Sequence, residues 1–128
     1  MDMQAALRAR LVGQTGAASR IYWLDRPQGT DLPAITLQTI SADRPRTYGG
    51  MQGLRLSRVQ MDVWANSYAE GRTVFEAAVA ALIPSRLDSN GIFFDHINFE
   101  GEADLTERLE TKIIYRTRVD LLVWHQPA

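Results

Sequence analysis

Residues 58–71 read RVQMDVWANSYAEG, and the parsing of this stretch decides the fold. Val59, Met61 and Val63 alternate with Arg58, Gln60 and Asp62, the period of two that gives a strand one buried and one wetter face. Ser67 then stands three residues before Glu70, the spacing at which a hydroxyl and a carboxylate each satisfy a backbone N–H left unpaired at a helix start. Beyond it, Val74, Phe75, Ala78, Val79 and Leu82 form one apolar stripe at helical spacing, and Pro84 closes the helix. The sequence therefore predicts a strand that passes into a helix with no active-site loop between them. The stripe from Phe75 to Leu82 is expected to lie over Val59, Met61 and Val63.

Upstream, Met3, Leu7 and Leu11 recur at helical spacing, Asp2 can cap the first turn and Gly13 can supply a left-handed stop, so residues 3–12 read as a short helix. Ile21-Tyr-Trp-Leu24 reads as a first strand closed by the turn-forming residues 25–29, and residues 34–41 alternate as a second. Residues 41–56, SADRPRTYGGMQGLRL, show no sustained period and read as a loop too long for a simple hairpin. Downstream, Ser89-Asn-Gly91 signals a turn into an aromatic-rich strand over residues 92–99, and residues 111–124 alternate over a longer span. There Ile113, Tyr115, Val119, Leu121 and Val123 share one face, and Lys112, Arg116, Arg118 and Asp120 the other. The predicted fold is α+β, a mainly antiparallel sheet of about four to five strands with two helices packed on one face.

Composition narrows the function. A length of 128 residues, 45% hydrophobic and 23% charged, suits a single domain over residues 1–128. A formal charge of −1 supplies no general positive field for nucleic acid or anionic lipid, so any such contact has to be local. Cysteine is absent, which excludes disulfides and thiolate metal sites and fits a reducing compartment. No apolar run approaches the roughly 20 residues of a membrane span, and no secretion signal is visible, so a soluble protein without a membrane partner is expected.

Chemical motifs are not found. The histidines, His96 in the aromatic strand and His125 at an end expected to fray, have no second histidine at ligand spacing, so no metal site is predicted. His96 beside Asp95 reads as a strand residue rather than a general base, because strand neighbours point to opposite faces. Gly49-Gly-Met-Gln-Gly53 lacks the lysine and hydroxyl of a phosphate-binding loop, and no helix follows it. Serines fall in caps or turns, and no nucleophile stands out. Neither catalytic residues nor a cofactor are expected. Glu100, Glu102, Asp104, Glu107 and Glu110 offer carboxylates for acid–base work or a hard cation, but charge runs of this kind usually form a solvated connection.

Charge placement is more informative. Between Asp43 and Arg58, four arginines (Arg44, Arg46, Arg55 and Arg58) stand against one aspartate, whereas between Asp95 and Glu110 six acids stand against Arg108 alone. Opposite islands on one chain could set direction and register in head-to-tail assembly of identical subunits, or could both simply face water.

The segments LPAITLQTISADR (32–44) and GLRLSRVQMDVWANSY (53–68), followed by an alanine-rich helix, resemble the tail terminator, or tail completion, family of long-tailed phages and gene transfer agents. The resemblance spans nearly the whole chain and is most specific at RVQMDVWA with Tyr68 just beyond. It implies a structural virion protein: a small α+β subunit, assembled in the host cytoplasm, that forms a hexameric ring at the head-proximal end of the tail tube. Such a ring stops tube polymerisation and meets the head–tail connector or stopper, while DNA passes through its lumen without specific binding. The implied partners are further copies of itself, the tail tube protein and the connector. No catalytic residue carries over. On this reading the 41–56 loop, with Arg44, Arg46, Tyr48, Arg55 and the adjoining Arg58, is the docking element, mobile until assembly. Glu100, Glu102, Asp104, Glu107 and Glu110 are expected at a subunit interface or along the lumen, where a basic wall would retain DNA. The alternatives are another neck component, such as a stopper or adaptor, and a small α+β ligand-binding domain or enzyme whose site is assembled from separate strands.

Overall fold

The computed structural model describes residues 2–17, 19–25, 31–43, 46–47, 50–51, 55–83, 87–89, 91–108 and 111–127. In chain order the elements are helix α1 (Met3–Leu11), strands β1 (Ile21–Trp23), β2 (Ala34–Asp43), β3 (Arg46–Thr47), β4 (Gly50–Met51) and β5 (Arg55–Ala65), helix α2 (Tyr68–Ala81), and strands β6 (Leu87–Ser89), β7 (Ile92–Arg108) and β8 (Ile113–Pro127).

Strand β5, the opening stretch of the sequence, lies inside the sheet. It pairs antiparallel with β2 on one side and β8 on the other, so Met61 sits opposite both Leu37 and Val119. Its period of two becomes burial: Val59, Met61 and Val63 are enclosed together with Ile35, Leu37, Val119, Leu121 and Val123. The chain then turns at Ser67, whose Oγ accepts the Glu70 backbone N–H at 3.2 Å. The reciprocal arm of the predicted box reaches one residue too far, since Glu70 Oε1 accepts from the Asn66 N–H at 3.4 Å. Helix α2 lays Val74, Phe75, Ala78 and the following Leu82 into the core. Pro84, predicted to end it, lies outside the described residues.

Helix α1 follows its sequence signals, with Asp2 Oδ1 accepting the Ala5 N–H at 2.8 Å and Gly13 at φ +77°. Its placement comes from contacts between segments. Arg8 donates to the Ile21 and Ser19 carbonyls at 2.7 and 3.1 Å, and Trp23 Nε1 donates to the Gln4 carbonyl at 2.9 Å. These bonds hold β1 against α1, and Met3, Ala6, Leu7 and Leu11 join the same core that α2 covers.

Three expectations need correction. The sheet has six strands in the order β1-β2-β5-β8-β7-β6 where about four to five were expected, because β6 adds an outer strand, and the mainly antiparallel sheet is mixed at one edge, where β1 runs parallel to β2. Strand β1 falls within the predicted 21–24 strand, whereas β6 is three residues long, too short for periodicity to register. The 41–56 stretch is largely strand: β2 runs to Asp43, β5 starts at Arg55, and β3 pairs with β4 between them. Finally, the acidic run is not a connection. Strand β7 continues through it to Arg108, paired with β8.

Candidate assembly surfaces

Strand register distributes the charged residues over the two faces of the sheet. On the face away from the helices, Arg58 donates through Nε and Nη2 to Asp120 Oδ2 at 3.0 and 2.8 Å and lies 3.7 Å from Glu100 Oε2. Beside it, Arg116 Nη2 donates to Asp62 Oδ2 at 3.2 Å, and its guanidinium stacks 4.9 Å from the Trp64 ring centroid. Gln60 also donates to Asp62 at 2.9 Å, and Trp64 Nε1 donates to Thr36 Oγ1 at 2.9 Å. These side chains lie across one another, so Asp62 is only 5% exposed without any helix above it. The result is a polar network linking β2, β5, β8 and β7 in which the charges of Arg58 and Arg116 are met inside the subunit.

A register shift between Glu100 and Ala103, with Gly101 at φ +66°, turns the next acids to the helical side. A left-handed residue at such an irregularity suits glycine, which has no Cβ to clash. Arg72 of α2 bonds Glu102 and Glu76 at 2.8 and 2.7 Å, and these carboxylates, Glu102 first, hold its guanidinium above its ordinary pKa. Asp104 accepts from Thr117 Oγ1 at 3.2 Å and from Tyr68 OH at 3.3 Å. Glu107 is exposed near the end of β7, whereas Glu110, Arg44 and Tyr48 lie outside the described residues, as does the side chain of Arg46. Arg55 stands at the start of β5, its Nε buried without an acceptor among the described residues. The two charge islands thus meet partly within one subunit, at Arg58 and Glu100.

Two readings of the histidines and serines change. His125 does not fray: it is 7% exposed in β8, and its Nε2 lies 2.9 Å from Ser57 Oγ. The contact joins residues 68 apart, so no local pattern in the sequence announces it. Ser57 is itself buried, and no carboxylate orients the imidazole among the described residues, so the pair is enclosed rather than presented to a substrate. His96 is exposed and bonded to Asn98 Oδ1.

Burial, and then the neighbouring Arg55, hold the His125 imidazole below its ordinary value of 6.5. The unfolded chain therefore takes up a proton more readily than the folded one. The stabilising contribution is complete above the unfolded value and is lost as pH falls through it toward the lowered native value. Thermal unfolding followed from about pH 7.5 to 5.5 is expected to show a steeper loss of Tm in the native chain than in His125→Gln. Equal slopes would mean that the ring is not enclosed as described.

No group of three or more metal-ligating side chains occurs among the described residues. A groove of about 260 Å³ runs between α2 and β7, lined by Phe75, Val79, Phe99 and Val119 with Glu76 and Glu102 beside them. It is smaller than the roughly 300–1,000 Å³ of ordinary ligand pockets and open along one side, a shape better suited to a protein side chain than to a cofactor.

The family model for tail completion protein gp17 matches residues 1–126. No curated protein matches. Among solved structures, a chain from the virion of a native gene transfer agent particle has a TM-score of 0.68 at 14% identity, over 96% of this chain and 94% of that one. At that identity the likeness concerns the fold.

Proposed function

Because the chain belongs to the tail completion protein gp17 family, we propose that it acts as a tail terminator, forming a ring on the head-proximal end of a phage or gene transfer agent tail tube. The ring stops tube polymerisation and presents a surface to the head connector. The observation that carries this reading is the match of the tail completion protein gp17 family across residues 1–126.

The charge arrangement supports it. A conduit for DNA is best lined by a surface with few unpaired cations, since each phosphate contact adds affinity through counterion release. On the helix-free face, Arg58 and Arg116 are met by Asp120, Glu100 and Asp62, while Arg118 Nε has no acceptor among the described residues; the pairing of the first two suits that face to a lumen wall. Glu102 and Asp104, tied to the helical side, fit a position near a subunit boundary, with Glu107 and Glu110 farther along. Arg44, Arg46, Tyr48 and Arg55 are assigned to the docking segment that meets a neighbouring ring or tube.

The test is to assemble particles without this chain. Tubes of unregulated length and heads lacking attached tails are the expected products, with joining restored by the purified protein. Filled heads joined to tails of normal length in its absence would exclude the terminator role.

A further inference from the structure

Among the described residues the sheet is left open on both sides, at the same height. On one side, β1 covers only residues 35–37 of β2. The Ile35 N–H donates to the Arg20 carbonyl and the Leu37 carbonyl accepts from the Leu24 N–H, after which Leu24, at φ +73°, turns the chain off the edge. A non-glycine residue in that conformation is uncommon, so departure at this point is built into the backbone. By the alternation of the ladder, the backbone of Thr39 also faces away from β5, where β1 has ended. Among the described residues, residues 38–43 pair only with β5.

On the other side, β6 covers only residues 92–94 of β7, and among the described residues the remainder to Arg108 pairs only with β8. Following the rungs across the sheet aligns the two free stretches. Gln38 is level with Gln60, Asp120 and Glu100, Ser41 with Arg58, Leu122 and Asn98, and Asp43 with Leu56, Trp124 and His96. Three antiparallel steps separate β2 from β7, so the two outer strands run in opposite directions.

We propose that residues 38–43 of one copy pair antiparallel with residues 95–100 of the next, making the sheet continuous around the ring. The proposal rests on the ring reading above and specifies its contact. The occupant of each edge is a second copy of this chain, because two free edges at one height and of opposite direction are what rotation about an axis brings together without tilting the subunits.

The composition of the β2 edge permits pairing. Residues 38–43 contain neither lysine nor proline, and Ile40 is 48% exposed. Soluble proteins usually blunt a free edge with such residues. The register shifts between Thr39 and Ser41 in β2 and between Phe94 and His96 in β7 restrict which strand can pair, which favours one specific neighbour over indiscriminate association. Thr39, through Val59 and Leu121, falls at the height of Phe99, which lines the groove beside α2, and Ile40 is the extra residue at the shift that follows.

The chain has no cysteine, so a designed bridge reports one contact. Within a copy, Ser41 and Asn98 are separated by β5 and β8, about 14 Å, beyond disulfide reach. Oxidation of assembled tails carrying Ser41→Cys with Asn98→Cys is expected to give a ladder of covalent multimers, whereas either single variant gives none beyond background. Ser41→Cys with His96→Cys or Glu100→Cys covers a shift of one step along the strand. Thr39→Pro removes an edge donor without touching the β5 ladder, and is expected to leave a folded subunit with ring yield reduced at least tenfold. Rings that assemble with no ladder from any pair, or Thr39→Pro rings at native yield, overturn the strand pairing and leave the ring reading intact. Subunits that never associate, even on tails, remove both.

Discussion

Replacing Phe75 with alanine is expected to destabilise the fold by about 3–5 kcal/mol, much of the roughly 5–15 kcal/mol available to a domain of this size. The ring is 3% exposed and lies in the cluster formed by Val59, Met61, Val63, Val119 and Leu121, so truncation opens a cavity where α2 meets the central strands. The Arg72 guanidinium stands 4.9 Å from the ring centroid, and that contact is lost as well. Arg72 keeps Glu76 and Glu102, so no charge is left without a partner. Denaturant unfolding should show the loss in the midpoint with little change in slope, and Phe75→Leu should recover most of it. An effect below about 1 kcal/mol would contradict the placement of α2 on this sheet.

That placement is legible in the sequence, and the reason is local. The strand period at residues 59–63, the hydroxyl at Ser67 and the apolar stripe of α2 each occupy a few consecutive turns or rungs, and all three signals agree. The same holds for α1, where Asp2 and Gly13 mark both ends. Sequence reading failed where burial does not impose a pattern. Residues 102–108 are exposed throughout, so nothing forces apolar residues to alternate there, and the register shift after Glu100 breaks what period remains. A charge run in a strand with no buried face looks like a loop. Strand β1 escaped in direction for a different reason: three residues carry no memory of their partner, and it is Arg8 and Trp23, bonded to distant carbonyls, that dock the strand against α1.

The candidate surfaces were legible only as lists of charged residues. Arg58 and Glu100 were assigned to opposite islands, yet they stand 3.7 Å apart on adjoining rungs because β8 brings β5 and β7 together. Ser57 and His125, 68 residues apart, likewise meet only because β5 and β8 are neighbours. Side-chain partnership across a sheet depends on strand order, and strand order is the property that local periodicity leaves open.

Changing Asp62 to leucine is expected to cost about 2–3 kcal/mol, less than the 3–5 kcal/mol of a fully buried pair because the Arg116 side chain keeps 29% of its surface in water. The loss arises from Arg116, which would remain pinned between Trp64 and an apolar neighbour with its carboxylate gone, and from Gln60, which loses its acceptor. Substituting methionine for Arg116 in the same chain should recover most of the stability, because replacing both partners removes the desolvated charge along with its counter-charge. The double variant then separates two roles of the helix-free face. If the network serves only to cover the sheet, the Asp62→Leu/Arg116→Met chain should melt near the native temperature and still complete tails. If the face lines the path of DNA, the apolar patch should leave folding and ring formation intact while changing delivery of DNA through the finished particle. Melting temperature, ring mass and DNA delivery measured on the same three chains distinguish these outcomes, since a defect in delivery without a defect in the other two cannot come from a weakened core.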